Sequence, residues 1–226
     1  MNRWMIGLLV LWPAAALGQT GFYDHFEGNA LLPHWRVPPA SHWEYNVSNS
    51  MLHVPRVLYP GKPPHTPNNA IWISAGFKPV PGDFQAVARM GWDAGELGAV
   101  VVSFTGTDPR GRPAFVAEFG YGANFLFAKT ASTRSQLFPA PPPGMYDFAI
   151  QRIGDQIDFL LDGRLLVTLP DVVGAPPAWI TLGFIEPAAQ PSPGALHVDL
   201  VQVVPAPASS VAMVMLGLAL MKRRRR

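Results

Sequence analysis

The chain has 226 residues, of which 49% are hydrophobic and 14% charged, with a formal net charge of +2 and no cysteine. That composition excludes an unfolded polyelectrolyte and a disulfide-stapled miniprotein. The basic excess belongs to the ends: Arg3 and the run Lys222, Arg223, Arg224, Arg225 and Arg226 leave a body with 11 basic against 15 acidic residues, so nucleic acid is excluded as a partner.

The N-terminus, MNRWMIGLLVLWPAAALGQT, has the three parts of an export signal. Arg3 supplies the positive start, residues 4–11 a short apolar run, and Ala16-Leu17-Gly18 a small-residue cleavage site. Residues 1–18 are read as a signal peptide, with the mature chain starting at Gln19.

From Gly21 onward, short alternating runs bounded by Gly, Pro, Asn or Asp replace helical periodicity. Strands are expected at residues 22–26, then at 43–47 and 51–54 as a hairpin turning at Asn49-Ser50. Further strands follow at 70–74, 84–92, 99–104 and 114–121. The segment YDFAIQRIGDQIDFLLDGRLLVTLP reads as a three-stranded meander. Its turns are Gly154-Asp155 and Asp162-Gly163, and the second suits a type I′ turn, whose two central residues need positive φ. Strands at 179–185 and 196–203 close the body. About a dozen short strands with no room for crossover helices predict an all-β, two-sheet antiparallel sandwich or jelly roll. The proline-rich stretches 55–67 and 139–143 read as surface loops of one domain, residues 19–203.

The chain finishes in VPAPASSVAMVMLGLALMKRRRR. The prolines are expected to end regular structure, since proline lacks an N–H and fixes φ. Residues 208–221 are apolar but short of the ~20 residues that a spanning helix needs. The basic end would hold the tail in the cytoplasm. These features resemble the PEP-CTERM sorting domain of exopolysaccharide-making Gram-negative bacteria, with Val204, Pro205 and Pro207 as the proline motif and Arg223 to Arg226 as the cluster. Ala206 stands where the commonest version has Glu. The resemblance covers residues 204–226. It implies an exosortase-type processing enzyme as partner, transient anchoring in the inner membrane, and release to the cell surface or matrix.

Three patterns in order resemble the concanavalin A-like lectin/glucanase superfamily, laminin-G-like domains included. They are FYDHFEGNALLPHW, WEYNVSNSMLHV and the meander, and the closing LHVDLVQV is similar to the last strand of family-16 glycoside hydrolases. The resemblance implies a jelly roll that often binds carbohydrate, and a structural calcium held by Asp199 of the closing strand with Asp24 or Glu27 nearby.

Retaining glycoside hydrolysis needs two carboxylates close together. The Glu-x-Asp-x-Glu strand of family 16 is missing, and Glu118 in PAFVAEFGYG is the nearest catalytic candidate, without an acidic neighbour two or four residues away. Asp93 and Glu96 are paired acids on a loop, and the six histidines show no helical metal spacing and read as isolated side chains. Body tryptophans 35, 43, 72, 92 and 179 offer rings for sugar faces. Trp72 follows the polar loop HTPNNAIW, so His65, Asn68, Asn69 and Trp72 form the expected carbohydrate-binding edge. The reading is a surface-sorted jelly roll that binds polysaccharide without catalysis. A diverged hydrolase or lyase using Glu118 and a structural matrix module stand as alternatives.

Overall fold

The computed structural model describes residues 21–37, 45–55, 69–94, 99–122, 125–186 and 195–206. Residues 1–20, which include the expected signal peptide, residues 207–226, which hold most of the expected sorting tail, and residues 56–68, with His65 and Asn68, lie outside these residues.

Among the described residues fifteen strands run in chain order: β1 (Phe22–Asp24), β2 (Trp35–Arg36), β3 (Asn46–Ser48), β4 (Met51–Pro55), β5 (Asn69–Gly76), β6 (Phe84–Trp92), β7 (Ala99–Thr107), β8 (Pro113–Gly122), β9 (Phe125–Thr130), β10 (Gln136–Pro139), β11 (Gly144–Ile153), β12 (Gln156–Leu161), β13 (Arg164–Pro170), β14 (Pro177–Glu186) and β15 (Ala195–Pro205). They form two antiparallel sheets. One has the order β13-β12-β11-β6-β15-β4-β3, with β1 also on β15; the other has the order β10-β9-β8-β7-β14-β5-β2. The first and last strands are neighbours, with Asp24 in register with Val201.

Alternation in the sequence dictates which side chains meet between the sheets. Phe84, Ala86, Ala88, Met90 and Trp92 of β6 are all buried, as are Phe148 and Ile150 of β11. Against them lie Val100, Val102 and Phe104 of β7, Phe119 and Tyr121 of β8, and Ile180, Leu182 and Phe184 of β14. Trp92 stacks on Tyr121 with ring centres 3.8 Å apart, and Phe119 meets Phe148 edge-on at 4.9 Å. Each such large apolar side chain contributes roughly 1.5–3 kcal/mol on burial. A core of this extent holds the sandwich without disulfides.

Both expected hairpins form. Asn49 and Ser50 have φ of 54° and 55°, and Asp162 and Gly163 have φ of 49° and 76°, the left-handed pair that a type I′ turn requires. One expectation is corrected at the closing strand. The Val204-Pro205 step continues β15 instead of breaking it, with Val204 opposite Gln85 and Pro205 opposite Phe84. The next amide, of Ala206, donates to the Asp83 carbonyl at 3.0 Å. Amides of a strand alternate sides, so the N–H that Pro205 lacks would point away from β6. On that side β1 has already ended at Phe22, opposite Val203. A proline at the unpaired flank of a strand end costs no ladder bond.

Candidate functional site

The outward face of the seven-stranded sheet carries a row of polar side chains assembled from six strands. Register places Lys129 opposite Glu118, Glu118 opposite Ser103, Ser103 opposite Thr181, Thr181 opposite Ser74 and Ser74 opposite Arg36. Each member alternates with a core residue of its own strand: Ala117 and Phe119 flank Glu118, Val102 and Phe104 flank Ser103, and Ile180 and Leu182 flank Thr181.

The neighbouring row is glycine-rich, with Gly120 opposite Val101 and Val101 opposite Gly183. A Cβ on Gly120 would come within 2.5 Å of the Val100 carbonyl oxygen and 2.9 Å of Val101 Cα, so only glycine fits there. Val101 and Ser103 point away from the core yet are only 1% and 8% exposed. The centre of this face is therefore closely packed.

Aromatic rings border the polar row. Trp179, opposite Gly76 across β14–β5, is half-buried, and its six-membered ring lies 3.0 Å from where a Gly76 Cβ would stand. The guanidinium carbon of Arg36 lies 5.0 Å from the centre of that ring, an attractive cation–aromatic geometry. At the other end, Lys129 Nζ lies 5.2 Å from the ring centre of Phe115. Amide-sized polar groups beside flat apolar rings are the mixed lining that ligand sites use.

Glu118 is the one acidic residue among the described side chains of this sheet. Burial pushes its carboxyl above the ordinary glutamate range, and the positive charge of Lys129 opposes that rise. The titratable group beside Glu118 is therefore a cation, and no second carboxylate stands with it among the described residues of the face. Such a site can hold a proton or accept hydroxyl hydrogen bonds. It lacks the carboxylate pair of a retaining hydrolase.

Of the other expected site residues, Asn69 and Trp72 are in β5, in register with Glu186 and Gly183, so position 72 continues the Gly120–Val101–Gly183 row beside the polar one; His65 and Asn68, with Pro207 and Arg223 to Arg226, fall outside the described residues. Trp35 and Trp92 are core residues, 6% and 3% exposed. Trp179, one of the five body tryptophans expected to offer rings, alternates with the core residues Ile180, Leu182 and Phe184, which marks it as outward.

The carboxylates put forward for calcium face other partners. On the outward side of the eight-stranded sheet Asp199 lies 3.8 Å from Arg89, whose Nε also holds Asp147 at 3.0 Å. Asp24 is buried: its Oδ1 accepts the Phe26 amide at 2.7 Å, and its Oδ2 accepts the Trp35 indole N–H at 2.6 Å. Glu27 pairs with His25 at 3.3 Å. Among the described residues no three His, Cys, Asp or Glu side chains converge as a metal set.

Solved structures share this architecture. The CBM2 module of Lactobacillus casei BL23 phage J-1 evolved Dit aligns with a TM-score of 0.62 and 14% identity, over 84% of this chain and 99% of that one. The laminarinase from Rhodothermus marinus gives 0.57 and 15%, over 81% and 96% of the two chains. The apo Crh5 transglycosylase gives 0.58 and 15%, over 86% and 88%. No protein-family model and no curated protein matches the sequence. At such identities the likeness speaks for the fold alone. Two antiparallel sheets packed face to face, in the arrangement these structures share, give this chain the concanavalin A-like jelly-roll fold of lectins and glucanases.

Proposed function

We propose that this chain is an exported carbohydrate-binding jelly roll, and that the outward face of its seven-stranded sheet is the binding surface. The polar row of that face, bordered by an aromatic ring, carries the reading. Glu118, Ser103, Thr181 and Ser74 stand along one row, with Trp179 beside it. Hydroxyls of a glycan chain find acceptors and donors along the row, and the C–H faces of its rings find the indole. The neighbours named above are a CBM2 module, a laminarinase and a transglycosylase, and Crh5 is also known in complex with NAG. These names support β-1,3-glucan and N-acetylglucosamine polymers as the first ligands to try. In this reading the N-terminal signal exports the chain. The tail from Val204 delivers it through an exosortase-type enzyme, by way of the inner membrane, to the surface or matrix of a Gram-negative cell.

The test is a pull-down of the full chain, in detergent, on insoluble β-1,3-glucan, chitin and bacterial exopolysaccharides, with reducing-end release measured on each. Retention without release supports the binding module. Absence of retention on every polymer removes this reading and leaves a structural matrix module. Delivery is tested separately, by cell fractionation with and without residues 207–226; identical distributions would sink the sorting role.

A second reading, a diverged glycoside hydrolase, is favoured by the raised carboxyl of Glu118. It requires polymer release that Glu118→Gln abolishes while retention persists.

A further inference from the structure

The outward face of the eight-stranded sheet holds two histidines that the sequence keeps 144 positions apart. Register puts His53 of β4 directly opposite His197 of β15. Their Nδ1 atoms face each other at 2.9 Å, with ring planes 84° apart. The far nitrogen of each ring is already directed at an acceptor. His197 Nε2 lies 3.0 Å from the Asp93 carboxylate, and His53 Nε2 lies 3.2 Å from the Ser48 carbonyl oxygen.

Neither acceptor carries a hydrogen of its own, so both contacts are satisfied only when both Nε2 atoms are protonated. A neutral imidazole has a single N–H. Each Nδ1 is then a bare acceptor, and the two acceptors stand 2.9 Å apart. That arrangement needs a positive centre bound by both. It is also the outer arrangement that metal-binding histidines use, the remote N–H being fixed by a carboxylate or a backbone carbonyl.

We propose that His53 and His197 form a binding site for a late first-row transition ion, Cu(II) foremost and Zn(II) next, through their two Nδ1 atoms. Metal–imidazole bonds are about 2.0–2.1 Å, so two nitrogens at a right angle on one ion are about 2.9 Å apart, and at a tetrahedral angle about 3.3 Å. The observed spacing is that of two adjacent positions of a square-planar or octahedral ion, the geometry that selects Cu(II) or Ni(II) among imidazole-binding metals. Copper also heads the affinity order of the series. Solvent completes the coordination, since the side chains are only partly buried. Asp93 supplies negative charge to the site through His197 and orients that ring. The same row continues through Gly91 of β6 to Met145 of β11. The Met145 thioether lies over Gly91, 2.6 Å from where a Cβ would stand, so it packs on the strand next to His197. Bound there, the ion would tie the closing strand to the β3–β4 hairpin, on the sheet opposite the one proposed for sugar.

The full chain in detergent is titrated with CuSO4 and, separately, ZnCl2, and followed by calorimetry, by Cu(II) electron paramagnetic resonance and by thermal melting. One ion per chain is expected, with hyperfine structure from two equatorial nitrogens and a rise in Tm on loading. His53→Ala and His197→Ala should each weaken Cu(II) binding at least tenfold, and Asp93→Asn about tenfold through the outer contact alone. Far-UV circular dichroism and the Tm of each metal-free variant distinguish lost ligands from lost fold, and His53→Gln offers a milder replacement. Undiminished binding in His53→Ala/His197→Ala would place the ion elsewhere and overturn the proposal. An unaltered wild-type Tm with no saturable uptake would overturn it too, leaving a shared proton between the rings.

Discussion

Glu118 on β8 stands directly opposite Lys129 on β9, on the outward face of the seven-stranded sheet. Burial raises the carboxyl and Lys129 holds the rise in check. The sign of the pH dependence follows. The unfolded chain gives up the Glu118 proton at a lower pH than the native chain does. Through the interval between the two values the native state holds more protons, so stability falls as pH rises across it. Glu118→Gln should therefore melt higher than wild type at neutral pH, and the gap should close below the ordinary glutamate range. Lys129→Met should widen the interval upward by removing the opposing charge. Melting curves of the three proteins from acidic to neutral pH test this; a Glu118→Gln protein no more stable than wild type at neutral pH would defeat it.

The buried carboxylate of Asp24 is the hub of the opening segment. It accepts the Phe26 amide and the Trp35 indole and lies 3.2 Å from His34 Nε2, holding Phe26 in the left-handed region at φ 53°. Asp24→Ala leaves two buried donors unmatched, at about 1–3 kcal/mol each. Asp24→Asn keeps an acceptor and should lose clearly less. Trp35→Phe removes one donor with its acceptor left to the others, and should fall between wild type and Asp24→Ala. Urea unfolding followed by tryptophan fluorescence and by circular dichroism orders the three; equal losses for Asp24→Asn and Asp24→Ala would remove the hydrogen-bonding account.

The opening motif shows how far local sequence reaches. Its aromatic-acid-Trp order is visible, but nothing local shows that Trp35 folds back onto Asp24. Hairpins were legible where two adjacent residues had to take positive φ, as at Asp162-Gly163. β9 and β10 went unread for a physical reason. Leu126 and Ala128 enter the core while Phe125 and Phe127 lie half-buried on the other face, so FLFAKT shows no apolar–polar alternation. The polar row from Lys129 to Arg36 takes one residue from each of six strands, and His53 meets His197 across a strand pair. Such constellations leave no spacing signature, because register, not sequence distance, brings their members together.

A buried ion pair closes the other end of the sandwich. Arg152 Nη1 donates to Asp171 at 3.2 Å and to the Ala175 carbonyl at 2.9 Å, Nε donates to the Gly82 carbonyl at 3.0 Å, and the guanidinium carbon lies 5.0 Å from the Phe84 ring centre. Both side chains of the pair are almost fully enclosed. Removing one partner strands the other charge, which costs about 3–5 kcal/mol. Arg152→Met should lose that much in denaturant unfolding, and Asp171→Asn a comparable amount. Arg152→Met/Asp171→Asn should lose less than the two single losses added, since neither charge remains stranded. Strict additivity in the double-mutant cycle would mean that the pair is not coupled.

Trp179 offers the sharpest separation of binding from stability. Its ring packs over Gly76 and beside Arg36 at the border of the polar row, outside the core cluster that holds the two sheets together. If glycans stack there, Trp179→Ala removes a central anchor, and anchors of this kind are worth about 2 kcal/mol or more. That corresponds to a loss of roughly 30-fold in affinity for whichever polymer the wild type retains. Trp179→Phe keeps an aromatic face and should lose only a fraction of it. The melting temperature should move little in either variant, because Ile180 and Leu182 next to it carry the packing. Affinity electrophoresis in gels cast with the retained polymer reads the first quantity and calorimetric melting the second. A Trp179→Ala protein that melts normally and migrates like wild type would take the sugar off this face.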